Sequence, residues 1–262
     1  MKDRPIPDQT SLRAKVGVRK HPLDIHSAEN REQAVNILEH GIAGKNYYFR
    51  EDNPPYMHCA PGSIPELYVR EGILKRLLAV NKSLAPMGLA LFVHDAYRPI
   101  EVQNYFHDVW VPNYLRELHP DWDDARIASE VGQYWAGGYP NKQMIDPLSP
   151  PPHATGGVVD LTLYSKESGD SLFMGSAFDE VSAISFADHF EREGELRELT
   201  SEEQLARTNR RTLYHAMVSE GFVVNPNEWW HFGYGDQLSA RNSGASCAVY
   251  SILWLPNELK HD

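Results

Sequence analysis

The sequence predicts an α+β fold, a single domain with a central, mostly antiparallel sheet flanked by helices. Three observations lead there. Apolar runs of strand length, such as Leu89–Val93 and Val158–Tyr164, stand among segments with helical apolar spacing, such as Leu67–Val80. The two kinds of segment follow one another without the regular alternation that builds a parallel sheet. Lys166-Glu-Ser-Gly169-Asp170 reads as a hairpin turn leading into Ser171–Met174.

Residues 1–26 are polar, carry Pro5, Pro7 and Pro22, and read as an arm laid over a domain that occupies 27–262. Ser27 opens an expected helix that Gly41 ends, followed by an expected strand over Ile42–Phe49. Pro65 starts a second helix, whose face is Leu67, Val69, Ile73, Leu74, Leu77, Leu78 and Val80. Leu89–Val93 is short and continuous enough to be a buried strand, and His94–Arg98 turns out of it. Pro99 suits the first turn of a helix through Val102, Phe106 and Tyr114, with a break at Pro112. An acidic cluster begins the next helix, Asp123–Trp135, and a Gly- and Pro-rich loop from Gly137 delivers the chain to His153. Val158–Tyr164 alternates, with Val158, Asp160 and Thr162 on one face. Residues 175–198 show no periodicity. Thr200-Ser-Glu-Glu203 is a capping box opening a helix that Gly221 closes. Phe222–Val224, Trp229–Tyr234 and Ala248–Leu255 complete the expected strands.

Composition excludes several classes. The chain of 262 residues has 42% hydrophobic and 23% charged residues, which suits one globular core. A net charge of −11 argues against a nucleic-acid surface. Two cysteines, Cys59 and Cys247, make neither a disulfide framework nor a cysteine metal knuckle. No apolar run is long enough to span a bilayer, and the first residues lack the apolar core of a secretory signal, so a cytoplasmic location is expected. The oligomeric state stays open, a homo-oligomer included.

Two segments carry the chemistry. The first is Pro151-Pro-His153-Ala-Thr-Gly156-Gly157-Val-Val-Asp160; the second is Asn227-Glu228-Trp-Trp-His231. Together they offer His153, Asp160 and His231 as three metal ligands and leave a fourth position for water, the pattern of a catalytic zinc site. The spacing of His153 and Asp160 alone means little among twelve histidines. Asp160 is telling because it interrupts an apolar strand, where a carboxylate is costly unless paired or metal-bound. Gly156-Gly157 would let the chain fold His153 back over that face. Glu228 and His231 would point to opposite faces of a regular strand, so they meet only if the strand bends or starts after Glu228, and Asn225-Pro226-Asn227 supplies such an irregularity. Arg98, between a buried strand and a helix, is placed to stabilise an oxyanion, although most arginines in such positions pair with a carboxylate.

These segments resemble the D-Ala-D-Ala dipeptidases, zinc enzymes grouped with the D,D-carboxypeptidases and the Hedgehog signalling domain. The likeness is carried by Asp95-Ala-Tyr97-Arg98-Pro99, His153-x-x-Gly156-x-x-x-Asp160-Leu-Thr-Leu-Tyr164, Met174-Gly175-Ser176-x-Phe178-Asp179 and Glu228-Trp-Trp-His231, in that order. The resemblance implies one zinc ion per chain on His153, Asp160 and His231, with Glu228 as general base and later proton donor. It further implies that Arg98 polarises the scissile carbonyl, that Asp179 receives the ammonium of a small dipeptide substrate, and that the fold is the α+β domain expected above. Pro151 departs from the pattern, which usually has Ser there, and Val158 stands where a small residue is usual. Ser149 or Thr155 could substitute for that hydroxyl. The competing expectations are a D,D-carboxypeptidase or muropeptide-trimming peptidase and, in another class, a zinc-bearing binding domain without catalysis.

Overall fold

The computed structural model describes residues 1–255 apart from 16, 136, 138 and 140–145. A one-turn helix, α1 (Thr10–Arg13), precedes β1 (Ala34–Asn36), β2 (Ala43–Gly44) and β3 (Tyr68–Arg70). Then come α2 (Glu71–Leu84), β4 (Leu89–Asp95), α3 (Ile100–Tyr105), α4 (Val111–Leu118), α5 (Asp124–Tyr134) and β5 (Val158–Ser165). The rest comprises α6 (His189–Leu196), α7 (Ser201–Ser219), β6 (Val223–Val224), β7 (His231–Gly233) and α8 (Gln237–Ser243). Five strands form the central sheet in the order β2-β4-β5-β7-β6; only β2 and β4 run parallel. This is the mixed, mostly antiparallel sheet flanked by helices that the sequence predicts.

The sheet is built around β5, whose first six residues are all buried. Helices α2 and α7 pack on it. On α2 the buried residues Ile73, Leu74, Leu77, Val80 and Leu84 follow helical spacing, and on α7 the capping box from Thr200 to Glu203 is formed. One register irregularity matters more than the rest. Leu91 pairs with Leu163 and Val93 with Leu161, but Asp95 pairs with Asp160, so the strand bulges at His94. The extra residue moves Asp95 off the face of Leu91 and Val93 onto the face of Asp160. Asp160 in turn pairs with His231 on β7. Asp95, Asp160 and His231 thus form one row across three strands.

Several elements differ from expectation, each because a distant partner decides. The segment expected as a helix from Ser27 holds two 3₁₀ turns, Glu29–Arg31 and Ile37–His40, and between them β1, which pairs antiparallel with β3. That pairing also displaces the start of the second helix from Pro65 to Glu71. Of Ile42–Phe49 only Ala43–Gly44 is strand. The break expected at Pro112 is a π-helical turn over Phe106–Trp110, with the proline in the first turn of α4, where its missing N–H costs nothing. Helix α6 was hidden by its charge, since Phe190 is its one buried residue. Ala248–Leu255 forms no strand: its N–H groups donate to Pro22, Gly235, Asn30 and Ala154 in turn and never to one ladder partner. Of the loop expected over 137–152, residues 138 and 140–145 fall outside the described ones. Among the described residues no helix is long and apolar enough to cross a membrane.

The join into β5 is tight. A Cβ on Gly157 would lie 2.6 Å from the Tyr234 carbonyl oxygen and 2.7 Å from the Tyr250 ring, and Tyr234 N–H donates to the Gly157 carbonyl. Gly157→Ala is therefore expected to cost about 1–3 kcal/mol through forced backbone movement, read as a lowered midpoint in urea unfolding.

Candidate metal centre

The cluster assembles from three segments. His153 sits in a 3₁₀ turn, Pro152–Thr155, which Gly156 closes with φ 67°, a left-handed conformation suited to glycine. The chain then enters β5 and presents Asp160. His231 opens β7, while Glu228 precedes it in a turn where Glu228 N–H donates to the Asn225 carbonyl. The strand does begin after Glu228, so both side chains reach one point: His231 Nδ1 and Glu228 Oε2 are 3.2 Å apart.

His153, Asp160 and His231 are at most 5% exposed. Their candidate ligand atoms all lie within 4.8 Å of one another. His153 Nε2 is 3.3 Å from His231 Nδ1 and 3.3 Å from Asp160 Oδ2, and His231 Nδ1 is 3.1 Å from Asp160 Oδ1. His153 Nδ1 lies 2.9 Å from the Ala96 carbonyl, which only accepts, so Nδ1 carries the proton and Nε2 turns a lone pair inward. Asp160 Oδ1 receives no hydrogen bond despite its burial. Against the effect of burial, the Asp160 carboxylate raises His231 to about 9, so without a metal a proton stays with the pair. Once it leaves, two imidazoles and a carboxylate aim lone pairs at one point, a donor set that suits a cation. Ligand bonds of about 2.0–2.1 Å in a tetrahedral zinc site would separate the ligand atoms by about 3.3 Å, close to the spacing seen. The residues fit a zinc-sized ion.

Around the cluster stand the other expected residues. Arg98, 6% exposed, follows β4 and donates through Nε to Asp95 Oδ2 at 2.9 Å, through Nη1 to Gln103 at 3.1 Å and through Nη2 to Tyr48 at 3.1 Å. Its Nη2 also lies 3.5 Å from Asp160 Oδ2. Asp179, at φ 59°, accepts hydrogen bonds from the hydroxyls of Tyr48 at 2.8 Å and Tyr56 at 2.9 Å. Burial, with the Asp160 charge adding to it, pushes the Asp179 carboxyl up to about 8. Glu228 Oε2 accepts from Asn225 Nδ2 at 2.8 Å. Burial raises the Glu228 carboxyl above its ordinary range; His231 opposes the rise and Asp160 adds to it.

Sequence reasoning missed Asp95. Its Oδ2 lies 3.1 Å from His153 Nδ1, so it orients that ring as well as holding Arg98. The apolar run ends at Val93, so Asp95 reads as part of the turn, whereas β4 continues through it. Tyr48 and Tyr56 carried no signal in sequence. Thr155, a candidate substitute for the missing hydroxyl, is fully buried and donates to the Pro152 carbonyl, and the Ser149 hydroxyl accepts from Arg19 Nε.

Fold and cluster together define a mixed α/β domain with an internal two-histidine, one-carboxylate site able to hold a metal ion. The family model for D-ala-D-ala dipeptidase matches residues 67–248. The D-alanyl-D-alanine dipeptidase of Synechocystis sp. is 37% identical over 183 residues, covering 66% of this chain and 71% of that protein. Its namesake in Enterococcus faecium is 29% identical over 63% of this chain and 72% of its own, and that of Escherichia coli 32% identical over 59% and 61%. A solved structure described as VanYB in complex with D-Alanine-D-Alanine aligns with 78% of this chain and 92% of its own, at 15% identity and a TM-score of 0.40; at that distance the likeness says nothing of chemistry. The chain is a peptidase, and it belongs to the D-Ala-D-Ala dipeptidase family.

Two outcomes follow from this geometry. Asp95→Asn should weaken zinc binding about 10–100-fold in competition with a chromophoric chelator, because His153 loses its orienting carboxylate. Asp179 binds a proton more tightly in the folded chain than in the unfolded one, where the carboxyl has its usual value of 3.8. The folded state therefore holds the extra proton between about pH 4 and 8, and stability from this group is lost as pH rises through that window. In metal-free protein, Asp179→Asn, which tolerates the same left-handed backbone, should raise Tm by an amount that grows from pH 4 to pH 8.

Proposed function

We propose that the protein is a zinc-dependent dipeptidase that hydrolyses D-Ala-D-Ala or a related small dipeptide. The observation carrying this reading is the convergence of His153, Asp160 and His231 on one point with the Glu228 carboxylate 3.2 Å from the last of them. The relatives named as D-alanyl-D-alanine dipeptidases support the substrate class.

A zinc ion held by the three side chains would supply a Lewis acid for the scissile carbonyl and bring the pKa of a water down to about 7. Glu228, steadied by Asn225, takes one proton from the attacking water as the oxygen adds to the carbonyl carbon. It returns that proton to the amide nitrogen as the C–N bond breaks, which releases one amino acid with a new carboxyl group and one with a new amino group. Its raised pKa suits a group that must hold the proton between the two transfers. Arg98 takes the carbonyl oxygen as negative charge develops, its guanidinium kept in place by Asp95 and Gln103. Asp179 meets the free ammonium of the substrate. A carboxyl raised to about 8 is one short of a cationic partner, and the arriving ammonium restores its charge. A binding domain without catalysis would need neither Glu228 nor Arg98 in these places.

Purified zinc-loaded protein is expected to release D-alanine from D-Ala-D-Ala, and not from N-acetyl-D-Ala-D-Ala or L-Ala-L-Ala. Cleavage of the acetylated peptide instead would make the enzyme a carboxypeptidase, and no turnover on any peptide would favour a binding domain. Glu228→Ala should keep its zinc, as read by metal analysis, while kcat falls by about 10²–10⁴-fold.

A further inference from the structure

A free dipeptide has two charged ends, and the residues above receive only one of them. Its carboxylate needs a cation. Arg98 is already given to the scissile carbonyl oxygen, and Asp95 at 2.9 Å and Asp160 at 3.5 Å hold it there. The cluster opens into a cleft of about 830 Å³, and part of its wall comes from the amino-terminal residues, which the family match over 67–248 does not include. In a chain of net charge −11, that stretch carries Arg13, Lys15, Arg19 and Lys20 in close succession, and all four line the cleft.

Arg13 is occupied: its guanidinium pairs with Asp188, whose side chain is wholly buried, at 2.6 Å. Arg19 is held differently. Its Nε donates to Ser149 O at 2.8 Å and Oγ at 3.0 Å, its Nη1 to Gly137 O at 2.7 Å, and its Nη2 to Ser149 O. The guanidinium lies over the Tyr139 ring at 5.1 Å. All these partners are neutral, and among the described residues no carboxylate meets Arg19. Of its five N–H groups, one on each terminal nitrogen remains, enough for the two oxygens of a carboxylate. The backbone beneath it is fixed too, since Gln237 Nε2 donates to Arg19 O at 3.1 Å and His21 O at 2.6 Å. The cation is therefore built in beside the segment that leads from Ser149 to His153. On the same cleft, Asp179 and Glu180 supply the opposite charge.

We propose that Arg19 is the residue that binds the free carboxylate of the substrate, so that the cleft reads a zwitterion end to end. The inference rests on the dipeptidase reading above. It makes the amino-terminal arm part of the specificity apparatus.

The test compares D-Ala-D-Ala with D-alanyl-D-alaninamide, in which the carboxylate is replaced by a neutral amide, using wild type, Arg19→Gln and Arg19→Lys. Arg19→Gln should raise KM for the acid by about 10–100-fold with kcat nearly unchanged, the scale of one charge-assisted contact. Its KM for the amide should match that of wild type, and Arg19→Lys, which keeps the charge, should fall between. The lysine variant alone decides the matter if the glutamine variant does not fold, because a KM change confined to the acid is not a folding effect. Equal changes on acid and amide, or none on either, overturn the role of Arg19 and leave the dipeptidase reading standing. A wild type that turns over neither peptide overturns the dipeptidase reading and this inference with it.

Discussion

The structure depends on keeping two carboxylates buried side by side. Asp95 and Asp160 face each other across neighbouring strands, with 0% and 2% exposure, where like charges repel and water cannot screen them. The surrounding groups answer that constraint. Arg98 reaches both; His153 approaches Asp95 with one ring nitrogen and Asp160 with the other. His231 closes the row from the third strand. A divalent cation at the focus would add the positive charge that His153 and His231 give up when they turn lone pairs inward. The bulge at His94 sets this arrangement, because without it Asp95 would join Leu91 and Val93 on the opposite face.

The same economy links the two ends of the site. The Tyr48 hydroxyl accepts from Arg98 and donates to Asp179, so Asp160, Arg98, Tyr48 and Asp179 form one polar line. A cation arriving at Asp179 strengthens the acceptor that Tyr48 faces, and each bond in such a line polarises the next. If Asp179 receives the substrate ammonium and Arg98 its carbonyl oxygen, as proposed, the two events share a physical path. Aromatic rings back it: Tyr48 packs tilted or edge-on against Tyr56, Phe106 and Trp135, and Arg98 lies over the rings of Tyr48 and Trp135.

What the sequence discloses depends on how locally it is encoded. Asp160 is legible because a carboxylate in an apolar run violates a local rule, and rule violations mark sites. The capping box of α7 and the amphipathic face of α2 are local as well, and both formed. Asp95 stands past the end of its apolar run, in a motif that gives it no role of its own, and its face is decided by a bulge that only the pairing with β5 reveals. β1 looked helical because nothing near it in sequence shows that Tyr68–Arg70 is its partner. Arg19 was illegible for a related reason: an arginine in a polar arm has no distinguishing pattern until its neighbours prove neutral.

The row of Asp95, Asp160 and His231 also ties the site to long-range strand pairing. Its members sit on strands adjacent in space but far apart along the chain, so loop-closure entropy must be overcome before they meet. The pairing of β4 with β5 alone brings two carboxylates together without His231. His231 joins them only where β7 is paired with β5. A metal ion held by His153, Asp160 and His231 would therefore bind only where both strand pairings are in place, so its capture would report that most of the sheet has formed.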